Sequence, residues 1–151
     1  MRALALLALL AVAACDTAAD GPNLDDVDVS ELSHDGAALV GTWDLARVSN
    51  PGDCAGQCPG TRTAAEAGWS ARYVFRADGT AEYRSGHGTA RGETVVAGPY
   101  AVRYREYDNG TRRDTPLIAF DGRWIVFGID GDRLYTDDRP VDGELLEFAR
   151  R

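Results

Sequence analysis

The chain has 151 residues, of which 44% are hydrophobic, and its formal net charge is -8. This length leaves room for one globular domain with a single core of modest size. The acidic balance, and the lack of a basic stripe with interleaved aromatic residues, exclude nucleic acid as a predicted partner.

The first residues have the composition of an export signal. Arg2 supplies a positive charge, and residues 3–14 contain only Ala, Leu and Val. This apolar run is too short to span a bilayer as a helix, which takes about 20 residues, but it has the length of the hydrophobic core of a signal peptide. The sequence therefore predicts export, with residues 1–14 as the signal peptide.

The end of this run, Val12-Ala13-Ala14-Cys15, resembles the lipobox of bacterial lipoproteins. The resemblance implies that Cys15 receives lipid and becomes the first residue of the mature chain. Several acyl chains make a stable anchor, whereas one gives only reversible binding. We therefore expect a protein of the bacterial cell envelope, anchored by lipid to the inner or outer membrane. The alternative is an ordinary secretory signal, cut near Ala11-Val12-Ala13, that releases a soluble protein.

An acidic segment follows the predicted signal. Residues 15–37 carry seven Asp and Glu side chains and no Lys or Arg. Segments of low hydrophobicity and high net charge remain disordered. The sequence predicts a solvated spacer over residues 15–37, which holds a domain of residues 38–151 tens of ångströms from the bilayer by the scaling of roughly 5–6 Å × √n for flexible chains.

Two further cysteines, Cys54 and Cys58, lie in a segment dense in turn-forming residues. A disulfide between them is the predicted state in an oxidising compartment. A redox-active pair or half of a metal site has no support, because the C-x-x-C spacing and a second pair of ligands are both missing. The run from Thr63 to Trp69, a little farther on, is the only candidate helix.

From Leu39 onward, apolar and polar residues alternate with a period of two, which is typical of strands. Asp78-Gly79, between two such runs, is a strong hairpin signal. We count eight short strands joined by tight turns, at 40–48, 72–77, 80–84, 100–105, 115–120, 124–129, 133–136 and 145–148. The sequence therefore predicts an all-β, antiparallel up-and-down meander that forms a barrel or a strongly curled sheet.

Four motifs in this region are similar to those of the lipocalins, especially the small lipocalin-like domains of bacterial lipoproteins. They are G-x-W at 41–43, F-x-x-D-G-T at 75–80, G-x-Y at 98–100 and a terminal strand at 146–150. The resemblance implies that Trp43 plugs one end of a barrel and that Arg150 packs over its ring as a cation–π pair. The segment from Asn50 to Ser70 departs from the family pattern by its length and its two cysteines.

An eight-stranded barrel is either filled by its own side chains or holds one small ligand. Large aromatic residues that we predict to face inward can line an apolar pocket, or they can simply pack the core. These candidates are Trp43, Tyr73, Phe75, Tyr83, Tyr100, Tyr104 and Trp124. We expect the barrel to bind a small hydrophobic ligand. The alternative is a filled barrel that acts as a protein-interaction or inhibitor module through the segment from Asn50 to Ser70 or through an open rim.

No catalytic residue is predicted. His87 is the only histidine in residues 38–151, and its glycine-rich surroundings are typical of a solvated turn. The sequence has no G-x-S-x-G elbow, phosphate-binding loop or paired-histidine metal motif. We therefore expect no enzyme activity, no metal and no cofactor. The expected state is a monomer whose partners are the membrane and either a small ligand or an envelope protein.

Overall fold

The computed structural model describes residues 22–49, 60–87, 93–105, 115–137 and 144–151. Within these ranges, the chain forms nine antiparallel strands and one short helix, α1 (Gly36–Leu39). The strands are β1 (Gly41–Ser49), β2 (Thr61–Thr63), β3 (Trp69–Phe75), β4 (Thr80–His87), β5 (Thr94–Arg105), β6 (Thr115–Phe120), β7 (Arg123–Asp130), β8 (Arg133–Asp137) and β9 (Leu145–Arg150).

The sheet closes on itself. Each strand from β3 to β8 pairs with the next along the chain, and β1 pairs with β3 on one side and with β9 on the other. Eight strands thus form a closed up-and-down barrel, which confirms the predicted all-β fold. The short β2 pairs with the last three residues of β1. Closure removes the exposed edges that an open sheet would present to other chains.

Strand β1 changes partner along its length. Residues 41–44 pair with β3, and residues 47–49 pair with β2. The pairing of β1 with β9 is continuous except for a register shift between Leu45 and Arg47. A bulge of this kind places an extra residue in one strand and re-aims the side chains that follow it.

The helix predicted from Thr63 to Trp69 is wrong. Thr63 ends β2, residues 64–68 form a turn, and Trp69 begins β3. Glu66 accepts hydrogen bonds from the Thr63 N–H and hydroxyl, each at 2.8 Å. This is part of the pattern that caps helices, but Gly68, with φ of +63°, ends the turn at once. A positive φ at this position suits glycine and reverses the chain into β3.

Strand β5 is twice as long as predicted, because it begins at Thr94 rather than at Tyr100. Its first half pairs with β4 and its second half with β6. The first half ends with Gly98 and Pro99, two residues that are uncommon inside strands. Pro99 lies opposite Thr80, the first residue of β4, where the partner of β5 changes.

Buried apolar residues form two clusters. The first fills part of the barrel interior and includes Trp43, Phe75, Phe127 and Phe148. The second lies outside the barrel wall and contains Leu24, Val29, Tyr135 and Leu145. The interior cluster is the core of the fold, and the outer cluster is formed only because the N-terminal segment covers the wall.

This covering segment, residues 22–35, is called the strap. Two 3-10 turns, Leu24–Asp26 and Val29–Glu31, begin at the capping side chains of Asn23 and Asp28. Leu24 is 0% exposed and Val29 is 2% exposed. The predicted spacer over 15–37 is therefore wrong from residue 22 onward. Its few apolar residues are buried against the outer wall of the barrel, which orders the segment. Residues 15–21 lie outside the described residues.

In the parts of the chain that the structure describes, no helix is both long enough and apolar enough to cross a membrane.

Candidate functional site

One end of the barrel, the closed end, is sealed around Trp43. This side chain is 0% exposed, and its indole N–H donates a hydrogen bond of 2.7 Å to the Leu39 carbonyl. The Arg150 guanidinium lies 4.1 Å from the Trp43 ring centroid. It also donates to the carbonyls of Ala38 and Val40, at 2.7 and 2.9 Å. The two residues that the family resemblance pairs are therefore in contact, and Arg150 also fixes the chain that leads into β1.

A stack of aromatic rings continues from the closed end along the interior. Phe75 contacts Tyr100 with ring centroids 5.0 Å apart, and Tyr73 contacts Phe75 at 5.3 Å. Tyr73 also lies 4.5 Å from Tyr83 and 5.2 Å from Phe148. Ring pairs at these separations add to the stabilisation that burial gives. This half of the barrel is filled by its own side chains.

Beyond Tyr73 and Tyr83 the interior opens into a cavity of about 300 Å³. The end of the barrel that holds this cavity is called the open end, and the cavity is called the cup. Every strand from β3 to β7 contributes to its lining. The lining residues are Trp69, Tyr73, Tyr83, Ser85, Thr94, Val96, Phe120, Asp121, Arg123 and Ile125.

The walls of the cup are apolar and its rim is polar. Four aromatic side chains and two aliphatic ones form the walls, while Asp121 and Arg123 flank the exposed turn between β6 and β7. A dry cavity of about 150 Å³ is enough to hold benzene, and pockets for small organic molecules begin near 300 Å³. The cup therefore has the size and chemistry to hold a small amphiphile, with its apolar part inside and its polar part at the rim.

The predicted ligand-binding aromatic residues divide between two places. Tyr73 and Tyr83 line the cup. Trp43, Phe75 and Tyr100 belong to the filled half, where Trp43 and Phe75 are almost completely buried. Burial raises the pKa of the Tyr100 phenol, and the nearby Asp78 carboxylate raises it further. Of the five, only the first two can touch a ligand in the cup.

The inward orientation predicted for Trp124 is wrong. Its side chain is 53% exposed on the outer face of β7, while Ile125 faces the interior opposite Ile118 of β6. Residues 124–129 are apolar on both faces, so the sequence does not reveal which alternate set points inward. The side chains of Tyr104 and His87, and all of Cys15, Cys54 and Cys58, lie outside the described residues.

Sequence reasoning missed several cup residues. Trp69 was missed because a helix was predicted over it. The alternation of β3, continued from Tyr73 toward the N-terminus, places Ala71 and Trp69 on the same inward face. Val96 was hidden because the predicted strand began at Tyr100. Extending the alternation of each strand to its full length was the signal that could have found them.

A second cavity, of about 360 Å³, lies on the outer wall and is called the outer groove. It is bordered by Ala97 and Pro99 of β5, Ala119 of β6 and Trp124 of β7. Val95, on the same outer face of β5, is 51% exposed. Apolar side chains in one exposed patch are typical of surfaces that contact other molecules.

A buried ion pair fastens the strap to the barrel wall. Arg47 of β1 and Glu147 of β9 are joined by hydrogen bonds, and each side chain is 5% exposed. Arg47 also donates to the Pro22 carbonyl at 2.8 Å, and the Arg133 guanidinium lies 3.5 Å from Glu147. Burial raises the pKa of the neighbouring Tyr135, and the Glu147 charge raises it further. Strap, first strand and last strand therefore meet at one charge cluster.

Within the described ranges, no three His, Cys, Asp or Glu side chains come together as a group that could hold a metal ion. No protein-family model, no curated protein and no solved structure matches this chain.

Proposed function

We propose that this protein is a lipid-anchored lipoprotein of the bacterial cell envelope, with a lipocalin-like domain, that binds a small hydrophobic ligand in the cup. The observation that carries the binding proposal is the cavity of about 300 Å³ at the open end of the barrel. Its apolar walls favour a ligand that leaves water, and its polar rim favours a single orientation of that ligand.

The anchor half of the proposal is supported by the signal-like run at 1–14 and by the lipobox-like residues before Cys15. Changing Cys15 to Ala removes the proposed lipid attachment site. We expect the wild-type protein to fractionate with membranes and to carry the mass of the lipid, and the variant to lose both properties. A variant that stays in the membrane fraction with an unchanged mass shift contradicts the anchor.

Native mass spectrometry of protein purified from its source tests ligand binding most directly. We expect a non-covalent adduct that dissociates on collisional activation. The matched variants are Ser85→Phe, which places a ring inside the cup, and Ala97→Phe, which places the same ring in the outer groove. The adduct should disappear in Ser85→Phe and persist in Ala97→Phe.

A second candidate function is a protein-interaction or inhibitor module. The exposed Trp124 at the outer groove favours it, because exposed aromatic anchors are common at protein interfaces. Val95, exposed on the same outer face, adds apolar surface beside the groove. A purified protein without adduct, together with binding of 1-anilinonaphthalene-8-sulfonate that Ala97→Phe weakens and Ser85→Phe does not, would favour this module over the carrier.

A further inference from the structure

The strap enters the fold at the open end of the barrel. The Leu24 N–H donates to the Thr61 hydroxyl at 2.9 Å, and that hydroxyl donates to the Asn23 side chain at 2.7 Å. Thr61 pairs with Ser49, the last residue of β1. Because β1 and β3 are antiparallel, the end of β1 lies at the same end of the barrel as Trp69, which begins β3 and lines the cup.

From this entry point the strap runs down the outside wall to the closed end. Leu24 packs with Leu145, the first residue of β9. Farther along, the Leu32 side chain lies over Gly128, where even an added Cβ would come within 2.8 Å of it. Ser33 then pairs with Ile129 at the end of β7. The direction of the strap is therefore fixed along its whole length.

Packing of the strap limits how far the proposed lipid can lie from the barrel. Cys15 and Pro22 are only seven positions apart in the sequence. At roughly 3.3–3.6 Å per residue, a fully extended chain of this length spans at most about 25 Å. A free spacer reaching to residue 37 would have allowed about three times that distance.

We propose that the open end of the barrel, and with it the cup, faces the lipid surface to which the chain is anchored. This inference rests on the proposed lipidation of Cys15. The proposed partner is the surface of the bilayer. The link between Cys15 and Pro22 keeps the strap's entry point within about 25 Å of this surface. The closed end is the one farther from the anchor, since the strands of the barrel separate it from the open end by about 20 Å.

Energy transfer from a label on the protein to labelled lipid tests this orientation. Ala65 and Ala77 are both exposed, and they lie in the turns before and after β3. Two separate variants carry Ala65→Cys or Ala77→Cys in lipidated full-length protein. Both also carry Cys54→Ser and Cys58→Ser, so that only the new cysteine couples to the maleimide donor. The vesicles are phosphatidylcholine with a trace of rhodamine-labelled headgroup lipid. We expect transfer from position 65 to exceed transfer from position 77 by about twofold, given the separation along β3.

A matched chain with twenty Gly and Ser residues inserted between positions 21 and 22 is the control. The longer link allows both ends to approach the bilayer, so the two labels should give equal transfer. Equal transfer with the native link, or a difference that survives the insertion, overturns the orientation.

The same preparations separate this inference from the anchor on which it rests. The mass of the intact chain shows whether Cys15 carries lipid. A lipidated chain with equal transfer from both labels contradicts only the orientation, whereas a chain without lipid contradicts both.

Discussion

The two ends of the barrel contain similar aromatic residues and use them differently. At the closed end, Trp43 and Phe75 pack with side chains from several strands and from α1, and both are almost completely buried. At the open end, Tyr83 and Trp69 stand on one side of a cavity with Phe120 on the other. The contrast teaches that aromatic content does not distinguish a core from a binding site. What distinguishes them is whether a facing side chain fills the space between.

The largest expected effect follows from emptying the closed end. Phe75 is 1% exposed and contacts Tyr73 and Tyr100. We expect Phe75→Ala to lower the free energy of unfolding by about 3–5 kcal/mol, because the substitution leaves a cavity and the side chains around it lose their contacts with the ring. Urea denaturation measures the change. Trp69→Ala, at the open end, is the matched control and should cost less than half as much. Equal losses would erase the distinction between the two ends.

A slightly smaller loss of stability is expected at the ion pair that fastens the strap to the barrel wall. The strap runs between the two ends of the barrel. Glu147→Gln leaves the buried Arg47 guanidinium without its counter-charge. Removing one partner of a buried ion pair costs about 3 kcal/mol or somewhat more. Hydrogen exchange should also show the strap amides opening first. The double variant Arg47→Met with Glu147→Leu should recover most of the stability, and an unchanged single variant would show that the pair does not hold the strap.

Removal of the guanidinium that covers Trp43 tests how the closed end is sealed. Arg150→Leu loses the cation–π contact and two hydrogen bonds to the carbonyls of Ala38 and Val40. We expect a loss of about 1–2 kcal/mol in unfolding free energy and a weaker near-ultraviolet tryptophan signal. Arg150→Lys keeps the charge but not the fork of donors, so it should restore only part of the loss. Full recovery by Lys would assign the effect to charge alone.

The smallest effect is expected from alkaline pH. Burial, aided by Asp78, raises the pKa of Tyr100 above the ordinary value of 10.0. The folded protein therefore keeps this proton at a pH at which the unfolded chain loses it. The stability from this group is fully present below about pH 10 and is lost as the pH rises through the folded-state pKa. Absorbance at 295 nm, compared between wild type and Tyr100→Phe, measures this. A difference spectrum that titrates below pH 10 contradicts the prediction.

Most of the barrel could be predicted because its signals are local. Asp78-Gly79 marks the turn between β3 and β4, and Gly79 has the positive φ, +81°, that such a turn requires. The alternation on either side fixes the register of the two strands, with Tyr73 opposite Tyr83. Six of the eight strand pairings that close the barrel join strands that follow each other directly along the chain, so local patterns suffice for them.

The cup and the strap depend on information that is not local. Gly98 and Pro99 interrupt the alternation of β5 and conceal its first half, which supplies Val96 to the cup. The acidic residues of the strap outnumber Leu24 and Val29, so composition indicates disorder until the wall that these two residues cover is known. A cavity depends on how far opposite walls stand apart, and no pattern along one strand encodes that distance.

The pairing of β1 with β9 has a consequence for how the chain folds. Arg47 and Glu147, which meet in this pairing, are 100 residues apart. A chain synthesised from its N-terminus cannot complete the barrel until its last strand is available. Until then β1 and β8 both present unpaired edges, which can join edges of other chains. Folding is therefore expected to be slow for the size of the domain, and the arrival of β9 decides when the barrel is no longer prone to aggregate.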